Sequence, residues 1–221
     1  DKFESFYSWT DLKRRNSMKC QCPSGKDCAY VDEAIFYLMR ALLPNMHSFT
    51  AGGLFQQGIE DYSSVVNLGN IVVALKDGAP KMRSFRLRGD GGFRLQGFIP
   101  LQVGALVRLE VLDLSHQRIS GGIPRAMEDL KNLTELDLSH QWISGEILRA
   151  MEDLKNLTEL DLGDSGNDGF AGPGLLPTWI SSLTKLELLD LENNAFHGSV
   201  PKGWSALKRL RTLRLNNNKL S

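Results

Sequence analysis

Several things are scarce in this 221-residue sequence, and each scarcity removes a class of function. There are three cysteines, Cys20, Cys22 and Cys28, all within the nine residues CQCPSGKDC. A zinc site there would need a fourth ligand, and His47 is the only histidine in the first eighty residues, so no metal is expected. Charge of either sign is not in excess: 26 basic residues face 26 acidic ones. That balance argues against a nucleic-acid partner, which needs a basic face. No apolar run reaches the roughly 18 residues of a membrane span. No leader peptide is evident, and the sequence opens on Asp1 rather than methionine, as a mature or trimmed form does. The glycine-rich stretch GDSGNDGFAGPGLLP, Gly163 to Pro177, lacks the Lys-Ser/Thr of a phosphate loop, which excludes nucleotide binding there. No cofactor is expected.

What the sequence does have is repetition. Fourteen residues, RAMEDLKNLTELDL, occur at Arg125–Leu138 and again, identically, at Arg149–Leu162. The same register extends to LEVLDLSHQRISGGIP from Leu109, LELLDLENNAFHGSVP from Leu186 and LRTLRLNNNKLS from Leu210. A degenerate earlier copy, MRSFRL, begins at Met82. A period of this length signals a stacked repeat. Within a unit, Leu133, Leu136 and Leu138 follow L-x-x-L-x-L, whose end alternates as a strand does. A turn, an Ile/Val-Pro step and a short amphipathic arc ending in leucine come next. No single unit can bury its own leucines, whereas stacked units can, at roughly 1.5–3 kcal/mol per side chain.

The pattern L-x-x-L-x-L-x-x-N-x-L-S-G-x-I-P resembles the plant-type leucine-rich repeat, the unit of receptor-like kinase ectodomains and polygalacturonase-inhibiting proteins. The resemblance covers about Met82 to Ser221. It implies an α/β solenoid with a parallel concave sheet and a mostly helical amino-terminal cap, divided into an arm and cap at 1–81 and an array at 82–221. The family's inter-coil asparagine is present at Asn194 and Asn218, but Gln117 and Gln141 replace it in the duplicated units and Ser165 in the next. Glutamine keeps the amide on a longer arm, so a looser ladder is expected there. The family's outer caps often carry a disulfide, which implies a bridge from Cys20 or Cys22 to Cys28; three reduced thiols are the alternative. The paired-cysteine cap with a tryptophan motif, usual in the plant family, is missing.

Nearer the amino end, Asp1 to Lys19 combines Phe3, Phe6, Tyr7 and Trp9 with the basic run Lys13-Arg14-Arg15, and reads as an arm lying on a neighbouring surface. Asp32 caps an expected helix over Glu33 to Leu43, stopped by Pro44 and suited to cover the open end of the stack. Asn67 to Leu75, NLGNIVVAL, is apolar and β-branched and suggests a strand of a cap hairpin or a worn repeat. At the other end, Leu213, Leu215 and Leu220 would face an edge that further repeats or another element must cover.

Side chains between the core leucines fall in columns on the concave face. One column reads Arg86, Val111, Glu135, Glu159, Leu188, Thr212; the next reads Asp113, Asp137, Asp161, Asp190, Arg214. The centre is acidic and the ends basic. Either these aspartates are solvated repeat residues, or they dock a basic segment of another protein. His116 and His140 lie one repeat apart, a spacing that copying explains and that could make the face pH-sensitive. Trp142 occupies a variable position and suits an interface anchor, while Trp179 and Trp204 fall near the core. Asn132-Leu133-Thr134 and Asn156-Leu157-Thr158 are glycosylation sequons, although N-L-T also belongs to the repeat. Carboxylates recurring in every coil single out no catalytic pair. The expectation is a non-enzymatic module that binds a protein partner through the concave face, in a secretory, extracellular or organelle-lumen setting. The alternative is an accessory subunit of a larger assembly, docked through its arm and carboxyl edge.

Overall fold

The computed structural model describes Pro44 and residues 46–52, 68–89, 95–144, 149–164 and 174–221. The arm, the three cysteines, the helix expected over Glu33 to Leu43, Ser165 and most of the glycine-rich loop lie outside the described residues.

The first described strand is β1, Ser48–Gly52, followed by the helix α1, Leu68–Gly78, and strands β2, Ser84–Arg88, and β3, Gln96–Phe98. Beyond these come β4, Val111–Asp113; β5, Arg118–Gly121; β6, Glu135–Asp137; β7, Trp142–Ile143; and β8, Glu159–Asp161. The last four are β9, Leu188–Asp190; β10, His197–Gly198; β11, Thr212–Arg214; and β12, Lys219–Leu220. The main sheet has seven strands in the order β1-β2-β4-β6-β8-β9-β11, all parallel. One such strand per coil, each followed by a return over the far side, is a solenoid. A second, lateral layer of short strands pairs β3-β5-β7 and, separately, β10-β12.

The far side is made of five-residue 3-10 turns, Leu101–Ala105, Arg125–Asp129, Arg149–Asp153, Thr178–Ser182 and Lys202–Ala206. Pro100, Pro124, Pro177 and Pro201 open four of them, the first three in extended conformation, since proline fixes φ and needs no amide partner. Each turn buries its third residue: Val103, Met127, Met151, Ile180, Trp204. With the leucine that follows (Leu106, Leu130, Leu154, Leu183, Leu207) these close the core over the strand leucines, of which Leu136, Leu138, Leu160, Leu162, Leu189 and Leu191 are fully buried.

One expectation is corrected at the amino end. Asn67 to Leu75 forms no described strand: Leu68 to Gly78 is helix. Leu68, Ile71, Val72, Leu75 and Ala79 are buried while Lys76 and Asp77 are exposed, a helical stripe that prevails over the β-branched composition. In the same region β1 pairs with β2 along its whole length, and Phe49 stacks on Phe85 at 5.7 Å between ring centres. The coil closed by α1 is therefore continuous with the array.

The ladder is not loosened by glutamine. Gln117 Oε1 accepts the Leu95 N–H (2.6 Å) and its Nε2 donates to the Leu87 carbonyl (2.8 Å). Gln141 accepts the Ile119 N–H (3.0 Å) and donates to the Leu114 carbonyl. Asn218 does the same work between Phe196 N–H (3.1 Å) and the Leu191 carbonyl (2.8 Å). The longer arm reaches the same two backbone groups.

Candidate functional site

The concave face is built by strand alternation: Leu112, Leu136, Leu160 and Leu189 point into the core, so their neighbours point out. Pairing places Glu135, Glu159, Leu188 and Thr212 in one column with Val111, and Asp113, Asp137, Asp161, Asp190 and Arg214 in the next. The first copy corrects the expected columns. Ser84, not Arg86, lies beside Val111, and Arg86 lies beside Asp113. The aspartate column therefore has an arginine at both ends.

Each aspartate has a local duty. The chain turns out of the sheet after the strand, and one carboxylate oxygen accepts the N–H two residues on. Asp113 receives Ser115 (3.1 Å), Asp137 Ser139 (3.0 Å), Asp161 Gly163 (3.0 Å) and Asp190 Glu192 (3.0 Å). Ser115 and Ser139 add their hydroxyls at 2.7 Å. These aspartates are thus not simply solvated: Asp113 is 0% exposed and Asp190 3%.

The second oxygens divide the column. Arg88 Nε donates to Asp113 Oδ2 at 2.6 Å, and Arg214 Nη1 to Asp190 Oδ2 at 2.9 Å. Arg86 Nη2 takes Glu135 at 2.7 Å. Among the described residues, Asp137, Glu159 and Asp161 form no salt bridge, although Arg214 acts on Asp161 through space. Burial pushes the Asp161 carboxyl up to about 7; the Gly163 N–H opposes the rise, and the flanking Asp137 and Asp190 add to it. Three carboxylates at the middle of the sheet are left to face solvent or a partner.

Along one edge of this face runs a third column, His116, His140, Asp164, Asn193 and Asn217, every member with positive φ between 51° and 57°. Histidine, aspartate and asparagine tolerate this left-handed turn better than most residues, which accounts for the composition of the column. The His116 and His140 rings stack at 4.0 Å between centres, and His140 Nε2 lies 3.4 Å from Asp164 Oδ2. Among the described residues, no group of three or more His, Cys, Asp or Glu is arranged to hold a metal.

Trp142 is separated from these residues. It lies on β7 of the lateral sheet, 57% exposed, with the Arg118 guanidinium 5.6 Å from its ring centre. Phe98 on the same sheet is 68% exposed and went unread in the sequence. Its ring covers Gly121, where a Cβ would meet it at 2.6 Å and where φ is +76°; this is the glycine of the S-G-x-I-P signature, and it was the signal available. The sequons carry inter-coil bonds: Asn132 Nδ2 donates to Val107 O (2.8 Å) and Asn156 Nδ2 to Lys131 O (2.8 Å). Thr134 and Thr158 donate to Glu110 O (2.9 Å) and Thr134 O (3.0 Å).

Parallel strands once per coil, an inter-coil amide ladder and proline-opened turns define a repeat solenoid of one particular kind. The Leucine rich repeat family model matches residues 107–166 and 174–220, and the chain is a leucine-rich repeat protein of the plant type. Among solved structures it is similar to PEPR1–AtPEP1, at 28% identity and a TM-score of 0.59, over 66% of this chain and 20% of that one. It is similar also to the Arabidopsis receptor kinase HAESA, in complex with the peptide hormone IDA and the co-receptor SERK1: 28% identity, TM-score 0.56, over 69% and 23% of the two chains. A plant ice-binding protein is similar at 30% identity and a TM-score of 0.53, over 61% of this chain and 42% of that one. The chain thus spans 20% and 23% of the length of the PEPR1 and HAESA chains. No curated protein matches the sequence.

Proposed function

We infer that the chain is a non-enzymatic interaction module that binds a protein or peptide partner on its concave sheet. One observation carries this reading: a seven-stranded parallel sheet whose outward side chains stand in register, with no other described element packed over them. Glu135, Asp137, Leu188 and Thr212 are half-buried and Glu159 is exposed on a backbone held by the ladder, so little ordering is lost on binding. The similar HAESA structure holds the peptide hormone IDA, and the similar RGFR1, a plant peptide hormone receptor, is in complex with RGF2, which supports the reading. Their nature as receptors supports a secretory or extracellular setting for this chain. His116, His140 and Arg214 border the same surface, whereas Trp142 belongs to a separate one.

The test is to pan a random dodecapeptide display library on the full chain and measure the selected peptides by fluorescence anisotropy. Binding should fall at least about tenfold with Asp137→Arg, which sets a like charge against a cationic ligand or a bulky side chain in the path of any other. It should be unchanged by Lys208→Glu on the far side. Peptides insensitive to Asp137→Arg but lost with Lys208→Glu would overturn the reading.

A further inference from the structure

The concave face is not evenly acidic, and its unevenness specifies a ligand. Reading along the column from β4 to β9, the side chains are Val111, Glu135, Glu159 and Leu188. Val111 and Leu188 are half-buried apolar shoulders on either side of an acidic pair. Beside that pair stand Asp137 and Asp161, in register with it on the same two strands. Glu135 is held by Arg86, and Asp113 and Asp190 by Arg88 and Arg214. In these two columns the carboxylates outside any salt bridge are Asp137, Glu159 and Asp161, in two adjacent coils. Asp161, raised to about 7, becomes fully charged only above neutral pH, and Glu192, bonded by the Asn216 amide, extends the acidic surface into the next coil.

The spacing converts to a peptide pattern. Neighbouring strands are about 4.8 Å apart, so the apolar shoulders are about 14 Å apart and the centre of the acidic group lies about 7 Å from each. An extended peptide crossing the strands rises about 3.3 Å per residue, and its residues i, i+2 and i+4 project on one side, about 6.6 Å apart. Three consecutive same-side residues thus meet Val111, the acidic centre and Leu188 in turn. The chain itself shows how the centre would be matched. In both flanking coils, a guanidinium already sits on the second oxygen of the equivalent aspartate.

We propose that the concave face selects an extended peptide segment of the form apolar-x-Arg/Lys-x-apolar, with its cation between the coils of Asp137 and Asp161 and its apolar residues on Val111 and Leu188. This rests on the concave-face reading above and narrows it to one ligand chemistry. Arg86 and Arg214 at the ends of the aspartate column would disfavour further basic residues beyond the core pattern, so a single central cation suits the face better than a polybasic tract.

The test uses the full chain and acetylated, amidated peptides with the core Leu-Gly-Arg-Gly-Leu, followed by anisotropy. Companion peptides carry citrulline or glutamate at the centre, or the two leucines six positions apart. Central arginine should bind about tenfold more tightly than citrulline, and glutamate more weakly still. At pH 8, where Asp161 is mostly ionised, Asp161→Asn and Asp137→Asn should each reduce that preference by about tenfold while leaving the citrulline peptide unaffected, and Leu188→Ser should abolish the dependence on leucine spacing. Circular dichroism melting confirms that each variant is folded. If library-selected peptides respond to Asp137→Arg but lack the central cation, or bind Asp161→Asn equally well, this inference falls and the concave-face reading stands. If neither the designed nor the selected peptides respond to concave substitutions, both fall.

Discussion

Replacing Gln141 by leucine tests whether the glutamine ladder holds the coils as the asparagine ladder does. Gln141 is 1% exposed and serves two backbone groups of the preceding coil, the Ile119 N–H and the Leu114 carbonyl. Gln141→Leu preserves bulk but strands both groups away from water, at about 1–2 kcal/mol each. Extra apolar burial returns about 1 kcal/mol, so the net destabilisation should be about 1–3 kcal/mol. Gln141→Asn retains the amide on an arm one methylene shorter and should cost about 1 kcal/mol by weakening one of the two bonds. Urea unfolding followed by circular dichroism measures both, with the slope of the transition monitored because a repeat array can lose cooperativity at a weakened coil boundary. A leucine variant within about 0.5 kcal/mol of the parent would refute the reasoning, since the two backbone groups would then be finding partners without the amide.

Asp161 should make stability depend on pH. Its folded carboxyl, raised to about 7 from the ordinary 3.8, holds a proton that the unfolded chain gives up between those values. Its contribution is therefore complete below pH 4 and lost as pH rises through 7. Asp161→Asn, which keeps the acceptor for Gly163, should gain on the parent as pH rises from 5 to 8, by about 1 kcal/mol after screening by solvent; thermal melts at both values measure this, and a constant difference would count against it. Leu160→Ala removes a fully buried strand leucine from the duplicated core and should cost about 2–5 kcal/mol in the same urea assay.

The duplicated units were legible in detail because identity over fourteen residues fixes register as well as fold. Asp113, Asp137, Asp161 and Asp190 could be aligned from the letters alone, and the pairing of β4, β6, β8 and β9 is the same. The first coils were harder for two physical reasons. Arg86 and Arg88 are both outward on one strand, so a slip of two residues changes the column without turning either side chain inward, and hydrophobicity cannot detect it. Leu68 to Gly78 offered β-branched residues and a buried helical stripe at once, and packing against the Leu101–Ala105 turn favours the helix. Neither the ion pairs that divide the acidic column nor the lateral sheet carrying Phe98 and Trp142 could be read from spacing, since both depend on which coil lies beside which.

That division bears most on function. A repeat that copies Asp into every coil stacks like charges about 4.8 Å apart, a cost that grows with each coil unless something relieves it. This chain relieves it only at the flanks, where Arg88 and Arg214 interrupt the copied pattern and bind the nearest aspartate. The two most faithful copies, carrying Asp137 and Asp161, are left without a salt bridge among the described residues; burial raises the Asp161 carboxyl, and the flanking Asp137 and Asp190 add a smaller push. A stabilising correction was available by the same route, a basic residue at either Glu135 or Glu159. Instead Glu135 is acidic and takes up Arg86, and Glu159 adds a further negative charge. The carboxylates without a salt bridge are therefore concentrated in the middle coils, between the arginine-bearing flanks, where a ligand cation would meet the least competition from the chain's own arginines.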